Sequence, residues 1–533
     1  MPERPTLPEF LKPTPIPGLQ LPPAPVVPEG RLSAGTRIVV KRFRITGATV
    51  FPYAELEKLL EPWTGRPIGN DELEEARLAL TRHYIAAGYV NSGAVIPDQK
   101  IEAGVVEIHV VEGRLSSIVV GGANKFRPWF ITGRIDPGAG PLNVNKLQER
   151  MQILLQNPMI ERINAELTPG LEPGEANLRL DVTEGKRFSV DAQYANNRSP
   201  AIGENRLELA YGMRNVLGLG ETFGLRVGGT TGAEDWLASF VVPVTTRDTL
   251  LRMKVEDNKS NAIEPPFDRI GIANRSRLIE IGLSHPVWRT LSQELALGAA
   301  LTRQENASFL GGQPFPFIPG TPDGHTTVSA LRLGADWTKR SAQSVFAARV
   351  VATQGIDAFG STVSPGFPDS KFQTLLAQMQ WARRFGDKGQ LIVRADLQRA
   401  SEPLLPSEKL GIGGVSTVRG YRENVMVKDN GEIFSVEYRL PVGKFAPFAL
   451  DLGPDEGQLE LAAFFDAAHG KDENESGIGP RTLRSFGPGL RWVPVHGTLV
   501  QIYKGFALEK RPVLEPKLPD RGVHFLFALQ VKF

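Results

Sequence analysis

The last ten residues alternate with a period of two. Phe525, Phe527, Leu529, Val531 and Phe533 fall on one side, and His524, Leu526, Ala528, Gln530 and Lys532 on the other. That period belongs to a strand whose two faces meet different environments. The same pattern recurs upstream. In Gly389–Ala400, Leu391, Val393, Ala395 and Leu397 oppose Ile392, Arg394, Asp396 and Gln398. In Gln293–Leu301, Leu295, Leu297, Ala299 and Leu301 oppose the polar and small Glu294, Ala296, Gly298 and Ala300. From residue 188 onward such segments are separated by Gly, Asn, Asp and Pro. Three are expected to end in Pro-Val, at Pro243-Val244, Pro286-Val287 and Pro441-Val442, because proline is tolerated at strand ends and not in a central ladder. The runs Leu310–Gly324 and Gly355–Ser370 read as long surface loops.

No apolar run approaches the ~18 to 20 residues of a membrane helix; Leu461–Phe465 is typical of the longest. A barrel escapes that requirement, since alternating strands average to near-neutral hydropathy. The 346 residues after position 187 accommodate about 16 antiparallel strands at ~9 to 11 residues each. A soluble β-sandwich or propeller is the competing reading. Blade-like repeats are missing, and the alternation runs to the terminal aromatic, as a ring-closing strand with a lipid face requires.

The N-terminal third reads differently. Residues 1–36 are rich in proline, including Pro13, Pro15, Pro17, Pro22, Pro23, Pro25 and Pro28, which predicts an extended or disordered linker; Leu7–Lys12 has room for one or two helical turns. Residues 37–187 contain a repeat. Ile38–Ile45 followed by Gly47-Ala48 matches Leu115–Val120 followed by Gly122-Ala123. Each copy then carries a helical stretch. Leu73, Ala76, Leu80 and Tyr84 share one face of the first, with Asn70 or Asp71 placed to cap it, and Asn145–Leu155 forms the second. Each closes with a strand and one turn, Val111-Glu112-Gly113-Arg114 and Thr183-Glu184-Gly185-Lys186. Corresponding positions lie 72 to 75 residues apart, so two similar α/β domains are expected, each running strand, helix, helix, strand, strand.

Several function classes fall away. With 61 basic and 59 acidic residues there is no electrostatic case for nucleic acid. With no cysteine there is no thiolate metal site, disulfide or cysteine nucleophile. Phosphate-loop, zinc-protease and nucleophile-elbow motifs are missing, and His469 near Asp466 is an ordinary surface combination. No enzyme, cofactor or metal is expected. The start, MPERPTLPEF, lacks a signal-peptide pattern; a chain beginning after a removed signal is the expectation.

The least ordinary stretch is Leu405–Glu423, where Gly411, Gly413, Gly414 and Gly420 accompany Arg419, which sits between small or apolar neighbours. It reads either as a solvated surface loop or as a loop folded into a barrel lumen. In the second case Arg419 is desolvated and needs a carboxylate. Asp466, in Phe464-Phe465-Asp466-Ala467-Ala468, shares a strand face with Phe464 and opposes Phe465. It is placed to hold the guanidinium through a bidentate pair, though a lone aspartate on a polar strand face is also common.

From about residue 37 to 533 the sequence resembles the outer-membrane transporters of two-partner secretion, of the hemolysin-activator and filamentous-hemagglutinin-transporter type. Gly413-Gly414 with Val418-Arg419-Gly420-Tyr421 looks like the family's loop-tip motif, and Phe464–Ala468 is similar to its Phe-x-Asp-x-Gly strand motif. Asn215–Glu221 is like an early-barrel turn, and Phe533 resembles the terminal aromatic read by the barrel-assembly machinery. The resemblance implies two POTRA (polypeptide-transport-associated) domains, at 37–113 and 114–187, after a segment 1–36. It implies a 16-stranded barrel at 188–533, with loop 400–430 folded into the lumen and held by Arg419 on Asp466. The implied partners are a secreted hemolysin- or adhesin-like exoprotein, the barrel-assembly machinery and outer-membrane lipid, with the POTRA domains in the periplasm. An insertase of the same superfamily and a passive porin are the alternatives. Ala468 departs from the motif's glycine, and residues 1–36 are too proline-rich for the long plugging helix that many members carry.

Overall fold

The computed structural model describes residues 7–11, 19–20, 37–136, 138–321, 323–446, 456–474, 481–509 and 522–533. Most of the proline-rich segment lies outside them. The chain divides into two compact units, Thr14–Gly185 and a second made of Met1–Pro13 with Lys186–Phe533.

The first unit holds the two repeats. In the first, Arg42–Thr46 pairs in parallel with Val105–Val111, which pairs antiparallel with Gly93–Val95. Helices α1 (Tyr53–Leu60) and α2 (Asn70–Ala86) contribute Leu56, Leu60, Ala76, Leu80 and Tyr84 to the core over this sheet. The cap of α2 is Gly69, not Asn70 or Asp71. The Gly69 amide donates to the Glu72 carboxylate at 3.0 Å, so the helix begins one residue earlier than a side-chain cap would set it. In the second repeat, Arg114–Gly121 pairs in parallel with Glu175–Glu184, which pairs antiparallel with Ile160–Pro169. Helices α3 (Pro128–Ile135) and α4 (Val144–Leu155) close that core with Phe130, Ile135, Leu147 and Met151. Leu19–Gln20, inside the expected linker, adds a short parallel strand to the free edge of Ile160–Pro169.

The repeated Gly and Glu have a shared purpose. A Cβ at Gly47 would stand 2.3 Å from the Val110 carbonyl oxygen, and one at Gly122 2.3 Å from that of Val182. Glycine is therefore required where the first strand passes the last. Glu112 then accepts the backbone amides of Thr49 and Val50 at 2.6 and 2.8 Å, and Glu184 accepts that of Lys125 at 2.8 Å. Burial raises the Glu112 pKa. Hydrogen bonds from Thr49, Val50 and Tyr84 outweigh it and hold the carboxyl below the usual range. Burial, with Glu112 alongside, pushes the Tyr84 phenol up.

The second unit is a closed antiparallel barrel of 16 strands. It runs from Phe188–Ala195 to Val523–Lys532, and those two strands close the ring in continuous register from Ser189 opposite Lys532 to Ala195 opposite Leu526. Phe188 and Phe533 exchange both backbone hydrogen bonds at 2.9 Å, which satisfies groups a barrel in lipid cannot leave open. We call the end bearing residues 188 and 533 the near end, since the first unit is joined there. Alternation places Leu391, Val393, Ala395 and Leu397 outward and Ile392, Asp396 and Gln398 inward, the latter three buried. The outer face carries an exposed apolar band that includes Leu209, Ile281, Leu333 and Phe465, the signature of a lipid-facing surface.

Two of the three Pro-Val pairs do not end their strands. Pro243 does, closing Ala233–Pro243. Pro286 and Pro441 lie within Ile272–Arg289 and Asn430–Lys444, each where the register slips by one residue. The unpaired residues are the neighbouring Val287 and Val442, and a proline is tolerated where such a bulge already disrupts the ladder. Leu7–Leu11, expected to hold one or two helical turns, is not helical. Leu7 and Phe10 pack on the inward-facing Val345, Ala382 and Ile392, with the Arg384 guanidinium 3.9 Å from the centre of the Phe10 ring.

Candidate functional site in the barrel lumen

The segment between Ala400 and Asn430 leaves the far end and turns into the barrel. Leu410–Ile412 and Met426–Lys428 pair as a short antiparallel hairpin that carries the tip down between them. Arg419, at that tip, is almost fully buried, and so are Asp466 and Glu437 on the inner wall.

Arg419 makes a fork on Asp466. Its Nε donates to Oδ2 and its Nη2 to Oδ1, both at 2.8 Å, while its backbone N–H donates to Oδ2 at 3.0 Å. Its Nη1 pairs with Glu437, and its guanidinium lies 3.6 Å from the Phe464 ring centre. Ser435 donates to Asp466 Oδ1 at 2.7 Å. Glu437 in turn accepts from Tyr503 Oη at 2.9 Å and Arg439 Nε at 2.6 Å. Arg419 thus faces two carboxylates, and each of those carboxylates accepts from several donors. Such saturation is what makes buried charges tolerable.

The other motif residues converge on the same place. Val418 and Tyr421 are fully buried in an apolar cluster with Leu410, Ile412, Ile433 and Leu483. Ala468, where the motif has glycine, places its side chain in that cluster too. Gly420 has φ +92°, and a Cβ there would come within 2.9 Å of the Gly505 backbone. That close pass falls where the strand Thr498–Lys504 breaks before Phe506–Ala507. The Gly420 amide donates to His524 Nε2 at 3.2 Å, and Tyr421 Oη to the Arg484 carbonyl at 2.9 Å. Phe533 stands apart at the near end, stacked 5.9 Å from Phe188. Asn215–Glu221 is a turn at the same end, where Asn215 accepts from Gly220 and Glu221 from Leu217 and Leu219.

Sequence reasoning missed Glu437, Ser435, Tyr503 and Gly505. The first two were accessible. Phe434 and Tyr438 face out, so the same alternation turns Ser435 and Glu437 inward on the strand paired to Phe464–Asp466. Missed as well was a second ion cluster at the loop's base. Lys409 Nζ lies 3.1 Å from both Asp429 and Asp472, and Lys428 Nζ 2.7 Å from Asp472. Asp429 also accepts the amides of Leu404 and Glu473 at 2.9 and 3.0 Å.

Residues 174–489 match the family model of the haemolysin secretion/activation proteins ShlB/FhaC/HecB, and residues 38–113 match that of the ShlB-type POTRA domain. The chain belongs to this family. It is 25% identical to the outer membrane transporter CdiB of Escherichia coli O6:K15:H31 over 77% of this chain and 70% of that protein. It is 21% identical to the heme/hemopexin transporter protein HuxB of Haemophilus influenzae over 73% and 70%. Among solved structures, CdiB from Escherichia coli superposes with a TM-score of 0.70 at 22% identity, covering 96% of this chain and 94% of that one. BamA from Haemophilus ducreyi lacking POTRA domains 1–3 superposes at 0.56 and 13% identity, covering 93% and 100%. As a ShlB-type protein, this chain is a two-partner secretion transporter of the outer membrane, with POTRA domains in the periplasm and a barrel through which protein is secreted. The near end of the barrel is therefore periplasmic, and the insertase and porin readings are not favoured.

Proposed function

We propose that this transporter secretes one haemolysin- or adhesin-like exoprotein, and that Arg419 on Asp466 is the lock that keeps loop 400–430 in its path. The two repeats, 37–113 and 114–187, act as POTRA domains that receive the exoprotein unfolded. The edge of Ile160–Pro169, which accepts Leu19–Gln20 in parallel, has the geometry to take an extended segment by strand addition. Phe533 serves as the terminal residue read by the barrel-assembly machinery, and the apolar outer band faces lipid. The transporter performs no chemical step on its cargo and uses no cofactor. Val418, Gly420 and Tyr421 seat the tip, and Phe464 backs the guanidinium.

The observation that carries this reading is the bidentate pair at 2.8 Å between a loop residue and the inner wall, 47 positions apart in sequence. Removing Arg419 strands two buried carboxylates, a loss of about 3–5 kcal/mol in holding the tip. The test is secretion of the exoprotein by Arg419→Ala and by Asp466→Asn. Both are expected to insert as heat-modifiable barrels and to leave the exoprotein in the periplasm. Wild-type secretion by both variants contradicts the lock.

A further inference from the structure

The loops at the extracellular end are not independent. Loop 196–205 meets the turn 230–232 through Gly232 N–H on the Ile202 carbonyl at 3.1 Å. That turn meets Asn261, the last strand residue before loop 262–271, through Asn261 N–H on the Gly232 carbonyl at 2.7 Å, and Ile263 N–H of the loop returns to the Ala201 carbonyl at 2.8 Å. The fit is close: a Cβ at Gly232 would stand 2.8 to 2.9 Å from Asn261, Ile202 and Ile263 atoms. These three connections form one cap over the first six strands.

The cap reaches the lumen loop through a charge pair. Glu264, on loop 262–271, takes a guanidinium hydrogen bond from Arg422, three residues beyond Arg419. Both side chains are largely buried, at 17% and 8% exposure. The opposite side is held differently. There Leu404 and Leu405 are fully buried against Phe372 and Val328, with Ile318 packed alongside, and the buried Glu408 of the loop pairs with Arg332 Nη2 on the wall at 2.7 Å. Apolar packing backed by an ion pair has no single bond whose loss releases it, whereas on the cap side the Arg422–Glu264 ion pair joins two loops directly.

We infer that Arg422–Glu264 is a strap that holds the extracellular exit closed, distinct from the Arg419 lock that holds the loop to the wall. Arg422 and Glu264 are positioning residues for secretion: they set where the cap sits relative to the tip. With the strap intact, the cap of 196–205, 230–232 and 262–271 cannot swing from the lumen loop. With it broken, the exit widens while Arg419 stays on Asp466. This inference rests on the lumen-loop reading through the position of Arg422.

The test is planar-bilayer conductance of the full-length protein as Glu264→Ala, Arg422→Ala, and the charge swap Glu264→Arg with Arg422→Glu. Insertion is checked by heat-modifiable migration, and Glu264→Gln replaces any variant that fails to insert. Both single variants are expected to shift from the wild-type level to a higher conductance, and the swap to return it. Single variants that conduct like wild type overturn the strap, as does a swap that stays high. Arg419→Ala measured alongside separates the two ideas. If it alone alters conductance, the strap is wrong and the lock stands; if it also matches wild type, the lumen-loop reading itself has failed.

Discussion

The tip and the base of the lumen loop are both held by buried charge, but in different ways. At the tip, one arginine with five donors in a rigid fork meets two carboxylates on the wall, and each acceptor is shared with Ser435, Tyr503 or Arg439. At the base, two lysines meet Asp429 and Asp472, and one of those carboxylates also ties down backbone amides of the loop and its neighbour. Arginine gives direction and lysine gives only a point charge. The lock proposed at the tip is therefore a geometric one, whereas the base is held by point charges that tolerate adjustment.

Substitutions rank by how hard they press on this contrast. The largest effect is expected at Arg419→Lys, which keeps the charge and removes the fork. Secretion should fall nearly as far as in Arg419→Ala, and recovery to wild type would reduce the lock to simple charge neutralisation. Next comes Lys428→Met. Losing one partly buried ion pair costs about 1–2 kcal/mol, so the loop root should loosen, read as faster hydrogen exchange at 426–428, with secretion reduced and not abolished. An effect equal to that of Arg419→Lys would erase the contrast between tip and base. Deleting Phe533 should lower the amount of assembled barrel, by removing its stacking and both hydrogen bonds to Phe188, without changing conductance per inserted molecule. Wild-type outer-membrane levels count against its proposed role.

The smallest effect on transport is expected far from the loop, at Glu112→Gln. Because the folded-state pKa of Glu112 lies below its unfolded value, its stabilisation is complete above the unfolded pKa and fades as pH falls through the folded one. Hydrogen exchange in 38–113 of the full-length protein should thus accelerate on acidification in wild type. In the variant it should already be fast at neutral pH and respond less to acid. Identical pH profiles would remove Glu112 from the account of the repeat.

The same contrasts mark what is legible in the sequence. Alternation is a local signal, so the barrel and the inward face of Asp466 were legible. So was Arg419, because an arginine between small and apolar neighbours in a glycine-rich run is conspicuous. The base cluster was not: Lys409, Lys428, Asp429 and Asp472 are ordinary polar residues until the hairpin 410–412/426–428 brings them together. Gly505 was invisible for a related reason, since only the close pass of Gly420 gives that strand break a purpose. Pro286 and Pro441 misled because proline signals a lost donor without saying whether the strand ends or bulges. Leu7 and Phe10 were set in a proline-rich segment with no periodicity, and their apolar site exists only as three inward side chains on separate strands.

In the proposed function, Arg419 holds the loop inside the barrel. Single-channel conductance of Arg419→Ala against wild type, in protein shown to be folded and inserted, tests it most directly. A higher conductance in the variant is the predicted result, because the tip no longer occupies the lumen. Equal conductance would mean that the loop stays in place without its arginine, and the lock would have to be abandoned.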